Sequence, residues 1–252
     1  MTLTVAIGEL TRVLPWSFRA LGYPFGTADR GARLVATAAA LDPAVLDRIA
    51  EAGQRPEEGL RVFRKPNGLK VEANRCSLFE TGAVSMDYLA AQASEADAVF
   101  AEVIDATETE VLPAVLVTGA EYGLTAVAFW AGSNGAGWMV AAPSPNGTRL
   151  HEGSDLEALV NGVGHAGLAD CIRQADMADG LVLVATEQPV NVAFGTPGAD
   201  VSEAVAAANF GGIPVSDKTL KTLYALEMIT WAPTSERSRA QAGFTPKPAV
   251  TS

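Results

Sequence analysis

Cysteine and histidine are scarce in this sequence, and their scarcity excludes several kinds of site. Two cysteines, Cys76 and Cys171, occur in 252 residues, which is too few for a disulfide framework and favours reduced thiols in the cytoplasm. The two histidines, His151 and His165, form no zinc-ligand spacing with each other or with the cysteines. We therefore predict no metal centre of this kind and no bound cofactor, while a metal held by carboxylates alone stays open.

Basic residues are also scarce, because 18 lysines and arginines face 29 acidic residues and the net charge is −11. Nucleic acids and anionic membranes are bound by clustered cations, so this balance predicts neither as a partner. No basic residue lies between Arg75 and Arg149. That stretch contains the acids Glu80, Asp87, Glu95, Asp97, Glu102, Asp105, Glu108, Glu110 and Glu121. We interpret it as a solvated acidic face, with a partner surface or a cation site as the alternative.

Long uncharged apolar runs are missing as well. Glu9 and Arg12 interrupt the N-terminal segment where a signal peptide needs an unbroken apolar stretch. The longest uncharged stretch, 122–147, is broken by glycines and prolines. The sequence therefore predicts a cytoplasmic protein without a membrane span, and it leaves a homo-oligomer open.

Hydrophobic periodicity predicts helices toward both ends of the chain and strands between them. Apolar residues at helical spacing fill much of the first fifty positions, where Thr27 and Asp42 are predicted caps of two helices. Asn67-Gly68, between two alternating runs, predicts a β-hairpin. Further helices are predicted over 85–96, 200–208 and 216–231 and after Asp155, and further strands over 98–104, 114–118, 124–130, 138–142, 181–186 and 190–194.

These elements predict an α+β fold in which helices from both chain ends pack around a mostly antiparallel sheet with hairpins. We expect one domain, 1–252, made of a helical segment 1–55, a sheet-rich segment 58–150, a mixed segment 151–242 and a frayed tail 243–252. Basic residues concentrate toward the two ends of the chain. We therefore expect the helices 27–41 and 216–231 to lie in contact, because this relieves repulsion in a strongly anionic chain.

A glycine-rich motif is the most specific pattern in the sequence. Gly162, Gly164 and Gly167 have the form G-x-G-x-x-G, and Glu187 follows at about the distance of a ribose-binding acid. A dinucleotide fingerprint needs a strand before the first glycine, but Asp155 and the residues after it indicate a capped helix. We predict a bend between two helices and no dinucleotide site. An NAD(P)-dependent oxidoreductase that uses these glycines is the alternative.

Candidates for catalytic groups are few, and no G-x-S-x-G nucleophile motif occurs. Cys76 follows Arg75, and a neighbouring cation lowers a thiol pKa, so Cys76 is a candidate nucleophile. A buried structural cysteine is the alternative. His165 is a candidate general base, with a histidine in a surface loop as the alternative.

Four arginines are the main candidates for ligand binding. Arg30 and Arg33 are three residues apart on a predicted helix and therefore share a face. Arg237 and Arg239 are two apart, so at most one of them can join the first pair. Arginine suits bidentate capture of a carboxylate or phosphate. The alternative is that all four pair with surface acids and that the order Thr-Ser-Glu before Arg237 caps a final helix.

The chain contains LGYPFGTADRGARLV near its start, GAVSMDYLAAQ in its middle and TWAPTSERSRAQAG near its end. These segments resemble an uncharacterised proteobacterial family, domain of unknown function 3726. The resemblance covers most of the chain, but the C-terminal Gly243-Phe-Thr-Pro-Lys-Pro departs from the acidic, glycine-rich end of that family. The family has no established activity, so the resemblance implies no catalytic residue. The N-terminal helical pattern is also similar to that of the malate/L-lactate dehydrogenase family that lacks a standard Rossmann fold.

Three classes of function remain open from the sequence. The first is a cytoplasmic small-molecule metabolic enzyme that acts on an anionic, carboxylate-bearing substrate in a pocket between the terminal helices and the sheet. The second is a non-catalytic binding or accessory subunit that uses the acidic middle stretch. The third is the NAD(P)-dependent oxidoreductase described above.

Overall fold

The computed structural model describes residues 2–132, 135–144, 147–175, 180–193 and 195–231, so the predicted tail, 243–252, lies outside it. The helices are α1 (Ile7–Ala20), α2 (Phe25–Leu41), α3 (Val45–Ala50), α4 (Leu78–Gln92), α5 (Leu112–Glu121), α6 (Leu156–Gly162), α7 (Ala166–Gln174), α8 (Val201–Gly211) and α9 (Asp217–Trp231). The strands are β1 (Thr2–Val5), β2 (Arg61–Lys65), β3 (Gly68–Glu72), β4 (Val99–Ile104), β5 (Thr125–Gly132), β6 (Gly135–Ser144), β7 (Gly147–Gly153), β8 (Gly180–Thr186), β9 (Thr196–Asp200) and β10 (Ile213–Ser216). No helix within the described ranges is long and apolar enough to cross a membrane.

One sheet of eight strands organises the described part of the chain, in the order β2-β3-β4-β8-β5-β6-β7-β9. Only the β3/β4 pair among these strands is parallel. One face carries small apolar residues such as Ala126 and Ala128 and packs against α4 and α5, with α2 behind them. The other face carries Phe129 and Trp138 and packs against α6 and α7. The predicted α+β class and the mostly antiparallel sheet are confirmed.

The predicted hairpin forms between β2 and β3, with Lys65 opposite Gly68. Asn67 adopts the left-handed conformation that the turn needs, with φ at 57°. Gly68 itself has a different role, because a Cβ atom there would lie 2.5 Å from the carbonyl oxygen of Phe100. The glycine therefore allows the close approach of β4 and does not supply the turn conformation.

The two ends of the described chain meet, as the charge distribution predicted. β1 and β10 pair antiparallel and place Thr2 opposite Ser216. The buried Ser17 hydroxyl of α1 donates a 2.9 Å hydrogen bond to the carbonyl oxygen of Leu223 in α9. The specific helix pair was not the expected one, because α9 packs principally against α1 and α3 rather than α2. The sequence did not reveal β1 and β10, which are only four residues long each.

Capping signals located some helix starts and missed others. The Asp155 carboxylate accepts hydrogen bonds from the amides of Glu157 and Ala158 and caps α6 as predicted. Ser216 likewise accepts a bond from the amide of Thr219 at the start of α9. Thr27 is not a cap, because α2 begins two residues earlier at Phe25 after a proline.

Two predicted strands are wrong. Residues 114–118 lie inside the helix α5, which has a proline in its first turn and buries most of its apolar side chains. A short, continuous apolar run fits a buried helix as well as a buried strand, so periodicity could not separate them. Of the predicted strand 190–194, residues 190–193 have no regular structure, and residue 194 lies outside the described residues. Val190 and Val192 nonetheless pack against the apolar layer beneath α6 and α7, which explains their strand-like pattern.

Candidate functional site

A cleft of about 390 Å³ lies where α2 meets α1, α5 and α8. Its lining contains two cations, one acid, several hydroxyl groups and an apolar floor. The lining residues are Ile7, Thr11, Arg30, Arg33, Leu34, Ala36, Thr37, Ala114, Val117, Thr118, Glu121, Tyr122 and Val205. We call this site the arginine cleft. Arg30 and Arg33, three residues apart on α2, both line this cleft, and their role in ligand binding stays a prediction.

Arg30 is held by a carboxylate and a phenol. Its two terminal nitrogens donate to both oxygens of Asp87 in α4, one of them at 2.7 Å. The Tyr122 hydroxyl accepts from Arg30 at 3.3 Å and donates to Asp87 at 3.0 Å. The hydrogen bond to Asp87 raises the pKa of Arg30 above its ordinary value. The guanidinium is thus fixed in orientation and largely neutralised.

The pKa shifts of the partners agree with this arrangement. Burial raises the pKa of Asp87, but the hydrogen bonds from Arg30 and Tyr122 outweigh burial, so the net pKa lies below the ordinary value. Burial and the hydrogen bond to Asp87 raise the pKa of Tyr122. At neutral pH Asp87 is therefore ionised, and Tyr122 keeps its phenolic proton and donates it in the hydrogen bond to Asp87.

Arg33 differs from Arg30 in having no partner in the part of the chain that the structure describes. Its side chain is exposed at the wall of the cleft and makes no hydrogen bond or ion pair with any described residue. Thr37 follows one helical turn later and lines the same wall. Arg33 is therefore the cation that the cleft offers to a ligand.

The arginine cleft links two of the segments that carry the family resemblance. LGYPFGTADRGARLV forms the first half of α2, GAVSMDYLAAQ lies within α4, and the Arg30–Asp87 pair joins them. Most of the third segment, with Arg237 and Arg239, lies outside the described residues. The sequence did not reveal Asp87, Tyr122 or Glu121 as parts of the site. Their positions depend on how α4 and α5 pack against α2.

Cys76 is not placed as a nucleophile. Its side chain is fully buried, and burial followed by the charge of Glu80 raises the pKa of the thiol to about 11. The lowering by a neighbouring cation that the sequence suggested does occur, but from Arg55 and not from Arg75, and it is too small to reverse the shift. The alternative of a buried structural cysteine is supported. Burial also raises the pKa of Cys171 to about 11.

His165 is a helix cap. Its Nδ1 atom accepts a 3.0 Å hydrogen bond from the amide of Leu168, at the start of α7. A general base needs a free nitrogen lone pair to accept a proton, and in His165 the lone pair of Nδ1 already accepts the hydrogen bond from the backbone. This argues against a role of His165 as general base. His151 lies on β7, where burial followed by the charge of Arg149 lowers its pKa.

The glycine motif forms the bend between α6 and α7. Gly162 is the last residue of a helix, Gly164 has a positive φ of 65°, and Gly167 lies in the first turn of the next helix. A Cβ atom on Gly167 would lie 2.9 Å from the Cβ of Asp97, so this glycine allows close packing. The strand that a dinucleotide fingerprint requires is replaced by α6, as predicted, and the motif does not fit a pyrophosphate in the usual way.

Glu187 lines a second depression of about 420 Å³, whose lining does not include the three glycines, although Gly167 packs against Asp97 at its edge. The lining of this depression also contains Glu95, Asp97 and Gln188. No group of three or more histidine, cysteine or carboxylate side chains in the described residues is arranged to hold a metal ion.

Much of the acidic middle stretch is paired with basic residues from earlier in the chain. The pairs are Glu80 with Arg55, Asp87 with Arg30, Glu102 with Lys65 and Glu110 with Arg48. The stretch is therefore not a uniformly solvated face, because four of its acids form ion pairs within the fold.

Comparisons with known proteins show which solved structures have a similar fold. No protein-family model and no curated protein matches the chain. The malate dehydrogenase of Entamoeba histolytica has 10% sequence identity and a TM-score of 0.64, with 92% of this chain and 99% of the enzyme covered. The malate dehydrogenase of Pyrococcus horikoshii OT3 has 12% identity and a TM-score of 0.62, with 91% and 96% covered. The delta1-piperideine-2-carboxylate reductase of Pseudomonas syringae pvar. tomato has 14% identity and a TM-score of 0.59, with 89% and 99% covered. At such identities the likeness shows a shared α+β fold that extends over nearly the whole chain.

Proposed function

We propose that the protein is a metabolic enzyme that binds a small carboxylate-bearing substrate in the arginine cleft. The observation that carries the proposal is Arg33, an exposed guanidinium on the wall of a cleft that has no partner in the described residues. In a chain with 29 acids and 18 basic residues, an arginine has many acids with which to pair. Arg61, Arg64 and Arg75 also lack a partner among the described residues, but of these four arginines only Arg33 lines the cleft, where its guanidinium can bind a ligand.

The rest of the cleft suits a small organic acid. Leu34, Ala114 and Val117 supply buried apolar surface, while Thr37 and Thr118 supply hydroxyl groups beside it. Thr118 donates its proton to the carbonyl oxygen of Ala114 at 3.2 Å, so its oxygen remains available as an acceptor. Sites for small molecules combine an apolar lining with a few placed polar groups in this way.

Arg30 supports this role without competing for the ligand. The carboxylate of Asp87 and the hydroxyl of Tyr122 fix its guanidinium, which leaves only its remaining N–H groups for contacts within the cleft. A held arginine loses little side-chain entropy when a ligand binds. We assign Arg33 the capture of the carboxylate and Arg30 its orientation.

The fold supports a carboxylate over a phosphate. Malate and delta1-piperideine-2-carboxylate, the compounds in the names of the structurally similar enzymes, both carry a carboxylate. The same names, dehydrogenase and reductase, favour redox chemistry as a second candidate function. The glycine motif does not supply its cofactor site, because α6 takes the place of the required strand.

The proposal is tested by isothermal titration calorimetry with malate, lactate and inorganic phosphate. Arg33→Met is expected to weaken carboxylate binding by about 10- to 100-fold, because a hydrogen-bonded charge contributes about 1.5–3 kcal/mol. Its thermal stability should stay near that of the parent, since the side chain is exposed and unpaired. Arg173→Met is the matched control, because Arg173 is an exposed arginine of α7 outside the cleft. Equal binding by the parent and Arg33→Met would contradict the proposal.

A further inference from the structure

Glu121 lines the arginine cleft and has no partner of its own among the described residues. It is the last residue of α5, its side chain is exposed, and it forms no ion pair or hydrogen bond with a described residue. It lines the cleft together with Arg33, yet no oxygen of Glu121 comes within 4.0 Å of an arginine nitrogen. Within the described part of the chain, the cleft thus presents one free cation and one free anion that do not neutralise each other.

The position of Glu121 is electrostatically unfavourable in the isolated protein. The carbonyl groups at the end of a helix form the negative pole of its dipole, where cations are stabilising and acids are not. α5 has no basic residue in its last turn to offset the acid. Proteins break such local preferences mainly at functional sites, and Glu121 lines a cleft. A positively charged group bound at this end of the cleft would be stabilised both by Glu121 and by the negative pole of the α5 dipole.

The α2 side of the cleft has the reverse polarity. Arg33 projects from α2, and Ile7, the first residue of α1, also lines the cleft. α1 begins there without a side-chain cap, although Glu9 in its first turn offsets part of the positive pole of its dipole, so Arg33 is the main positive charge on this side. An anionic group is favoured on this side and a cationic group on the side of Glu121.

We infer that the substrate is a zwitterion, an amino or imino acid whose carboxylate contacts Arg33 and whose protonated nitrogen contacts Glu121. This inference rests on the proposed function and narrows its substrate class. A zwitterion satisfies both free charges at once, whereas a hydroxy or oxo acid leaves Glu121 unpaired. A zwitterion with a single carboxylate also carries no net charge, so it avoids the repulsion that a protein of charge −11 exerts on an anion.

The test compares ligands that differ only in an amino or a hydroxyl group. Binding of L-alanine against L-lactate, and of L-aspartate against L-malate, is measured by calorimetry at neutral pH. The parent protein is expected to bind each amino acid at least about tenfold more tightly than its hydroxy counterpart, because one charge-assisted contact is added. Glu121→Gln should remove this preference and leave the affinity for the hydroxy acids unchanged or slightly higher.

Two controls separate this inference from the proposed function. Glu157→Gln changes an exposed acid of α6 outside the cleft and should leave both affinities unchanged. Arg33→Met should weaken both members of each pair. If the hydroxy acids bind in an Arg33-dependent way but the amino acids bind no more tightly, or if Glu121→Gln keeps the preference, the zwitterion is wrong and the proposed function stands. If no member of either pair binds the parent protein, both are overturned.

Discussion

Replacing Arg55 with methionine is expected to lower the free energy of unfolding by about 3 kcal/mol, because the change leaves a buried carboxylate without its partner. Glu80 is only 6% exposed and lies in the first turn of α4. Arg55 donates to its carboxylate through Nε at 3.0 and 3.2 Å and through Nη2 at 2.9 Å. The variant removes all three hydrogen bonds and leaves the carboxylate in place.

The size of the loss follows from the exposure of the two partners. Breaking a buried ion pair by removing one side typically costs about 3–5 kcal/mol. The Arg55 side chain is 21% exposed, so water can enter where the guanidinium was and partly solvate Glu80. We therefore expect the lower end of that range.

Urea unfolding, followed by circular dichroism, measures the difference at pH 7. The double variant Glu80→Gln with Arg55→Met should recover part of the loss, since it removes the uncompensated charge. Arg48→Met is the matched control, because the Arg48–Glu110 pair is exposed on both sides at 3.5 Å and is worth under about 1 kcal/mol. The reasoning is refuted if Arg55→Met loses no more stability than Arg48→Met.

Two further predictions concern pH and backbone packing. Hydrogen bonding to Arg12 lowers the pKa of Glu9 to about 2 from 4.5, so the contribution of ionised Glu9 to stability is present above pH 4.5 and is lost as the pH falls toward 2. Glu9→Gln should therefore reduce the dependence of the unfolding free energy on pH between 4.5 and 2. An unchanged dependence on pH would contradict the assignment. Gly68→Ala should destabilise the fold by about 1–3 kcal/mol in urea unfolding because its Cβ would meet the Phe100 carbonyl oxygen. Gly26→Ala, in open space in the first turn of α2, should stabilise it by about 0.4–1 kcal/mol, and equal effects of the two changes would refute the packing argument.

Local signals in the sequence predicted local structure well. Asp155 and Ser216 cap their helices through hydrogen bonds to amides two or three residues away, and Asn67 turns a hairpin between adjacent strands. Such interactions lie within a few residues, so the sequence contains both partners side by side. The run 114–118 was mispredicted because its apolar pattern fits burial in either a helix or a strand. Its assignment as α5 depends on the layers that pack around it.

The sequence by itself determined one property of the arginine cleft, and only the tertiary structure decided the others. The spacing of Arg30 and Arg33 alone places both on one face of α2, because the period of a helix fixes which residues are neighbours. Their different roles were not predictable from that spacing. Asp87 holds Arg30 from 57 residues away, and Glu121 lines the same cleft as Arg33 because α5 packs against α2. The free energy of such contacts depends on the distance and burial that packing creates, and no local pattern in the sequence encodes either quantity.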